Sequence, residues 1–390
     1  PGVREEFAVS RLVAVLTVVT LLLAYETAPA CTFCGGELRS RQTLRMHYAA
    51  AQAVLHGQLK NPRFDPKTDE GFTDLHVIAA LKDHPARGGS GVITLRSYLP
   101  VIGNTPPDYL VFCAVANDKL DPTFGVPATA AVLHYLRAAA RLDDSDPAAK
   151  LGFFYKHLDA ADATVAADAF LEFARAADAE IVKAAKHFDP VRLRKLLADP
   201  ATPPERLGVF AFLLGVCGGA DDAAFLARLL HEDPPRERTA TAYGGLLAGY
   251  VLLDPKDGWP LAARLLADET RPYSLRLATL ETVRFFQANR GRHCRAEVLK
   301  CYAALLPHAD LADQAIEDLR RWGYWDLTAA VLAQFAKPSH SAPVVRRTIV
   351  RYALCCPEEA ARTFVAALRR TDPGLVRLAE EQLEALAPKK

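Results

Sequence analysis

Leu196-Leu197-Ala198-Asp199-Pro200 decides how the larger part of this chain is read, because it comes back. It recurs loosely as Leu229-Leu230-His231-Glu232-Asp233-Pro234, as Leu265-Leu266-Ala267-Asp268-Glu269 and as Leu305-Leu306-Pro307-His308-Ala309-Asp310. Leu368-Arg369-Arg370-Thr371-Asp372-Pro373 is a degenerate last copy. The steps from Leu197 to Leu230, Leu266 and Leu306 are 33, 36 and 40 residues. Each Leu-Leu closes an amphipathic helix, and the Asp/Pro turn after it opens another, over stretches such as Arg206–Val216 and Ser274–Phe286. A helix pair of this period cannot bury its apolar stripe alone, so successive pairs must stack into a solenoid.

The helical texture begins near residue 127. Ala128–Arg141 reads as a helix with Pro127 at its first position. Thr164–Ala177 sets Val165, Ala169, Phe173 and Ala177 on one face, with Phe170 beside them and Asp162 as the natural N-cap. Upstream of this the chain alternates short β-prone runs with Gly, Pro and Asp clusters. Ala53–Lys60, Phe72–Lys82, Val92–Tyr98 and Tyr109–Val115 read as strands. Arg63-Phe64-Asp65-Pro66, Arg87-Gly88-Gly89-Ser90-Gly91 and Asn104-Thr105-Pro106-Pro107-Asp108 separate them. A helix over Leu38 to Gln52 precedes the first strand. Such a set of short strands is expected to close into a small barrel, which removes exposed sheet edges.

The first 30 residues have the layout of a secretory signal peptide: Arg4 and Arg11, an apolar run from Leu12 to Ala24, then Ala28-Pro29-Ala30. The run would span about 20 Å as a helix, short of the ~30 Å bilayer core. Cleavage before Cys31 is expected, which places the chain in the periplasm, cell envelope or extracellular space, with no membrane span after signal removal. The whole chain carries a formal net charge of +1, and without the leader's two basic and three acidic residues it sits near +2. This balance gives no electrostatic case for nucleic acid. With 51% apolar and 24% charged residues, the composition is that of a folded globular chain.

Cys31-Thr32-Phe33-Cys34 is the sharpest local motif. A redox pair would need its first thiolate stabilised at a helix N-terminus, whereas Gly35-Gly36 follows here and no strand precedes. A zinc site would need two further ligands, and Cys113 with His47 or His56 are the residues to hand. The plain reading is a disulfide that pins the new N-terminus, either Cys31 to Cys34 or one of them to Cys113. Acylation of Cys31 as a lipoprotein anchor is a further reading, although the usual Leu at −3 is replaced by Ala28. Cys294 and Cys301 lie about 10.5 Å apart along one helix, beyond the ~7 Å reach of a disulfide. They read as buried thiols, as do Cys217, Cys355 and Cys356.

Two resemblances bear on the fold. The Leu-Leu series resembles HEAT-like repeats over roughly residues 185 to 385. The N-terminal region resembles the netrin-like, TIMP-like group of OB-fold barrels through Cys31-Thr32-Phe33-Cys34, Ala53-Val54-Leu55-His56-Gly57-Gln58-Leu59, Leu81-Lys82 and Tyr109-Leu110-Val111-Phe112. In the metalloprotease inhibitors of that group, the amine and carbonyl of the N-terminal cysteine chelate the target's zinc. The resemblance implies that role for Cys31 alone. The chain departs from the group in having Cys-x-x-Cys for Cys-x-Cys and in lacking most of the bridging cysteines. The whole layout also looks like secreted bacterial proteins of unknown function that join such a barrel to helical repeats. The expected fold class is therefore α+β, an OB-like barrel over residues 31–126, a helical linker over 127–184 and HEAT-like repeats over 185–390.

Other polar features read as structure. Asp168 and Glu172, near Asp159 and Asp162, share a helix face and could ligate a hard cation, but a solvated face explains them equally well. His293 stands beside Cys294, with no paired metal-ligand motif around it. Gly215-Val216-Cys217-Gly218-Gly219 and Gly244-Gly245 lack the Lys-Ser/Thr of a phosphate loop and read as helix ends or close helix packing. Arg346, Arg347 and Arg351 read as a solvated stripe. No catalytic constellation and no cofactor is implied. The expected function is that of a non-enzymatic scaffold or protein-binding module with a protein partner. The alternatives are a metal- or thiol-dependent activity centred on Cys31, Cys34 and Cys113, and inhibitor-like binding through the mature N-terminus.

Overall fold

The computed structural model describes residues 41–101, 106–231 and 237–386. The leader, Cys31, Cys34 and the start of the expected helix at Leu38 lie outside these residues. Thr43 caps α1 (Leu44–Ala50), its hydroxyl accepting the Met46 N–H at 3.3 Å. A five-stranded antiparallel sheet follows, in the order β3-β2-β1-β4-β5. Its strands are β1 (Ala53–Asp65), β2 (Glu70–Lys82), β3 (Val92–Leu95), β4 (Asp108–Ala116) and β5 (Lys119–Pro127).

Several details differ from the sequence reading: β5 is a strand that it did not contain, and β3 stops at Leu95 and not at Tyr98. Arg63-Phe64-Asp65 belongs to β1, which passes an irregularity between Lys60 and Arg63, with Asn61 at φ 50°. Pro127 ends β5 rather than opening a helix, and Thr129 caps α2 (Ala130–Ala139) instead. The expected closed barrel is an open sheet, because β3 and β5 do not pair among the described residues. The physical reason is visible in both strands. β3 runs for only four residues, and β5 carries Pro122 and Pro127, which have no N–H to donate.

The period-2 alternation of β1 and β4 gives the sheet two buried faces. Val54, Leu110 and Phe112 join the main core with the helices, whereas Ala53, Leu55, Val111 and Cys113 form a smaller cluster with Leu59, Leu75 and Leu95 on the other face. Helices α3 (Pro147–Tyr155), α4 (Ala163–Arg175) and α5 (Asp178–Lys183) come next. Asp162 caps α4 as expected, accepting the N–H groups of Thr164 at 2.9 Å and Val165 at 3.1 Å. Val165, Ala169, Phe170 and Phe173 are all buried.

From α6 (Pro190–Ala198) onward the chain is a solenoid-like stack. It continues through α7 (Pro204–Cys217), α8 (Ala220–Leu230), one turn at Glu237–Ala240, α9 (Tyr243–Leu253), α10 (Pro255–Ala267) and α11 (Tyr273–Leu305). It ends with α12 (Ala309–Trp322), α13 (Thr328–Gln334), α14 (Pro343–Cys355), α15 (Glu359–Thr371) and α16 (Pro373–Leu386). Helices α7, α9, α11, α12, α14 and α16 follow one another as packed neighbours, with α6, α8, α10 and α15 laid alongside. The second leucines of the recurring motif, Leu197, Leu230, Leu266 and Leu306, are buried at or just beyond the ends of α6, α8, α10 and α11, and Leu368 is buried in α15. No helix among the described residues is long and apolar enough to cross a membrane.

At the centre of the stack, α7 and α9 are apolar nearly all round, which suits helices enclosed by others. They approach backbone to backbone. A Cβ on Gly215 would lie 2.4 Å from the Gly249 Cα, one on Gly245 would lie 2.2 Å from the Gly208 carbonyl oxygen, and one on Gly249 would lie 2.3 Å from that of Ala211. Gly215 and Gly245 thus serve close helix packing, whereas Gly218 and Gly219 stand at helix ends, so both expected readings of these glycines hold, each at different positions. Arginine–carboxylate pairs join later helices. Arg276 meets Asp310 at 2.6 Å, Arg284 meets Asp318 at 2.6 Å, and Arg351 meets Glu317 at 3.4 Å. Arg351 is therefore not part of a solvated stripe, and Arg346 lies 4.2 Å over the Phe335 ring.

Candidate functional site

Where α5 crosses the stack, a cavity of about 310 Å³ opens across three successive helices. Phe212 of α7, Leu252 of α9 and Phe285 of α11 supply its apolar lining. The two phenylalanines meet edge to face at 5.4 Å, and Phe285 continues through Phe286 at 5.1 Å to Trp259 of α10 at a further 5.1 Å. This aromatic chain locks the floor to three helices. Val182, 42% exposed, forms part of the α5 wall.

Polar groups surround that floor. Asp178, the first residue of α5, is only 3% exposed and accepts from the Asn289 amide at 3.2 Å. The same amide nitrogen donates to the Phe285 carbonyl at 3.0 Å. Lys183 and Arg290 line the cavity with exposed side chains. At Arg290 the backbone leaves helical geometry (φ −140°, ψ 21°), so α11 kinks at the lip of the cavity. An apolar floor with a few placed polar groups is the usual make-up of a binding pocket.

A second polar centre ties the start of the described chain to the helices. Asp168 and Glu172 are 7% and 8% exposed, so their helix face is buried rather than solvated. Leu44 and Arg45 of α1 and Tyr135 of α2 cover that side, which explains the difference. Asp168 accepts from the Leu44 N–H at 2.7 Å and the Tyr135 hydroxyl at 2.8 Å. Burial pushes its carboxyl up to about 6, against the pull of these two donors. Arg45 stands 3.7 Å from Glu172 and 2.9 Å from Asp144. Asp159 pairs with Arg192 instead, and the Thr129 hydroxyl donates to Asp162 at 2.6 Å. These carboxylates serve as caps and ion-pair partners. Among the described residues, no three His, Cys, Asp or Glu side chains are grouped so as to hold a metal ion.

No known protein family, curated protein or solved structure matches this chain.

Of the thiol and metal candidates, Cys31 and Cys34 lie outside the described residues, and those that are described stand apart from one another. Cys113, Cys217, Cys294, Cys301, Cys355 and Cys356 are free thiols. Cys113 is fully buried in the smaller sheet cluster, where burial, with Asp121 adding to it, pushes the thiol up to about 11. A thiol so disfavoured as thiolate is a poor nucleophile. His47 stacks flat on Phe124 at 3.7 Å and also meets Phe112, on the opposite face of β4 from Cys113. The two are therefore not brought together. Burial lowers the pKa of His47, favouring the neutral ring. His56 pairs with Asp108 at 3.2 Å, and His293 is exposed while Cys294 beside it is buried. The cavity on the stack has no signature in the sequence, because it draws its lining from four segments with no motif in common.

Proposed function

We propose that this chain is an exported, non-enzymatic protein-binding module, with a HEAT-like helical stack as the binding element and an OB-like, netrin-like sheet unit at its base. The observation that carries this reading is the apolar cavity formed jointly by α7, α9 and α11. A stack of helix pairs offers an extended surface, and a pocket crossing several members of the stack can seat an anchor side chain of a partner. The leader-like pattern of residues 1–30 supports an exported setting, and the near-neutral charge supports a partner that is neither nucleic acid nor an anionic membrane. The thiol-centred alternative draws no support from Cys113, whose buried thiol disfavours ionisation.

Panning a random peptide library against the purified chain tests the proposal. Sequences sharing an apolar anchor should be enriched, and the enrichment should vanish with Leu252→Arg and with Val182→Asp. Neither side chain is fully buried, so both variants should unfold near the parent's midpoint. Absence of enrichment, or enrichment indifferent to both substitutions, would refute the reading.

A further inference from the structure

We infer that a second cavity, where the sheet meets the helices, binds an amphipathic carboxylate, its alkyl chain lying along β5 and α4 and its carboxylate on Arg206. This is a small-ligand site, separate from the protein-binding reading. Its volume is about 490 Å³, within the range of small-molecule pockets. The walls that a ligand can reach are Phe124 and Val126 of β5, both half-buried, and Ala163 and Ala167 of α4, both exposed. Phe124 gives one ring face to His47 at 3.7 Å, and Phe170 and Leu171, both buried, close the back of the cavity. The two alanines stand one turn apart on α4, and their small side chains leave a trough.

Arg206 supplies the charge argument. This half-buried side chain donates from Nη1 to the Leu158 carbonyl at 3.4 Å and stands 5.7 Å from the Phe170 ring centroid. Among the described residues no carboxylate comes within ion-pair reach of it, whereas Arg276, Arg284 and Arg351 each meet one. Its Nε and Nη2 groups have no partner among the described residues, and they form the planar fork that suits a carboxylate. Burial lowers its pKa, with the neighbouring Glu205 pulling the other way, so the cation has lost hydration without gaining a paired counter-ion. Two features narrow the ligand. Asp168 lies behind the cavity and Glu205 at its rim, which favours a single negative charge over the two of a phosphate monoester. The reachable walls offer carbon alone, so a peptide laid along them would leave its amides unpaired, and an alkyl chain would not.

The test is isothermal titration calorimetry on the full chain at neutral pH, with decanoate, decanol and decyl phosphate as probes. Decanoate is expected to bind about ten-fold more tightly than decanol. Arg206→Met should erase that preference and still fold, because it removes a charge that has no paired carboxylate. Ala167→Phe, at an exposed position, should fill the trough and block both probes, with an unfolding midpoint near the parent's. Glu205→Gln should tighten decanoate, and Arg292→Met, at an exposed arginine outside the cavity, should change nothing. Equal binding of acid and alcohol would overturn the assignment, as would decanoate binding that ignores both Arg206→Met and Ala167→Phe, or no decanoate binding at all. Tighter binding of decyl phosphate than of decanoate would overturn it in favour of a phosphate amphiphile.

Discussion

Replacing Gly249 with alanine adds one methyl group where α7 and α9 meet backbone to backbone. The new Cβ would sit 2.3 Å from the Ala211 carbonyl oxygen and 3.0 Å from the Leu226 Cδ1. A carbonyl on a buried helix cannot rotate aside as a side-chain tip can, so α7 and α9 must separate locally by roughly 1 Å. Overpacking of this kind costs about 1–3 kcal/mol, and the backbone clash places Gly249→Ala at the upper end. Alanine's better helix propensity returns about 1 kcal/mol. The expected net loss is about 2 kcal/mol. Gly374→Ala makes the matching control, since Gly374 lies in the first turn of α16 and the nearest heavy atom to its added Cβ is Asp372 Oδ1 at 3.8 Å. That substitution should gain about 0.5–1 kcal/mol. Urea denaturation followed by circular dichroism reads both. If Gly249→Ala proves as stable as the parent, or if the two variants shift in the same direction, the backbone-contact argument fails.

Two further outcomes follow from the buried charges. The folded Asp168 carboxyl, pushed up to about 6 from an ordinary 3.8, binds its proton more tightly than the unfolded one, so its contribution to stability is full below pH 4 and lost as pH rises through 6. At 1.36 kcal/mol per unit this amounts to about 3 kcal/mol. Denaturation of the parent and Asp168→Asn from pH 4 to 7 should give diverging curves, with the variant flatter, and parallel curves would contradict the account. Asp318 accepts from Arg284 at 2.6 Å and from the Tyr302 hydroxyl at 2.8 Å, and its burial outweighs the arginine in raising its pKa. Arg284→Met strands that carboxylate and should cost about 3 kcal/mol, whereas adding Asp318→Leu should recover much of it. A double variant no more stable than the single one would speak against the pairing.

The helical half was legible because its punctuation is local. Asp162 caps α4 with its own side chain, and each Leu-Leu pair meets the core near a helix end whatever lies beyond it. The sheet was less so. Residues of β5 such as Asp121-Pro122 and Gly125-Val126-Pro127 carry the marks of a turn, and only pairing with the strongly apolar β4 makes them a strand. The burial of Asp168 and Glu172 is illegible in the sequence for a related reason. Spacing along a helix reveals which residues share a side, but the covering of that side by α1 and α2 is a long-range fact. The cavity at Arg290 depends on a kink and on α5 lying over distant helices, neither of which has a signature in the chain.

The open sheet bears on how copies of this protein meet one another at high concentration. An unpaired strand can template growth onto a neighbouring molecule, and long flat margins are the hazard. Here one margin is interrupted at Pro122 and closed off at Pro127, and the other is stepped, because the four residues of β3 cover only part of β2. The molecule can thus leave its sheet unsealed without offering a continuous rail for fibre-like accretion.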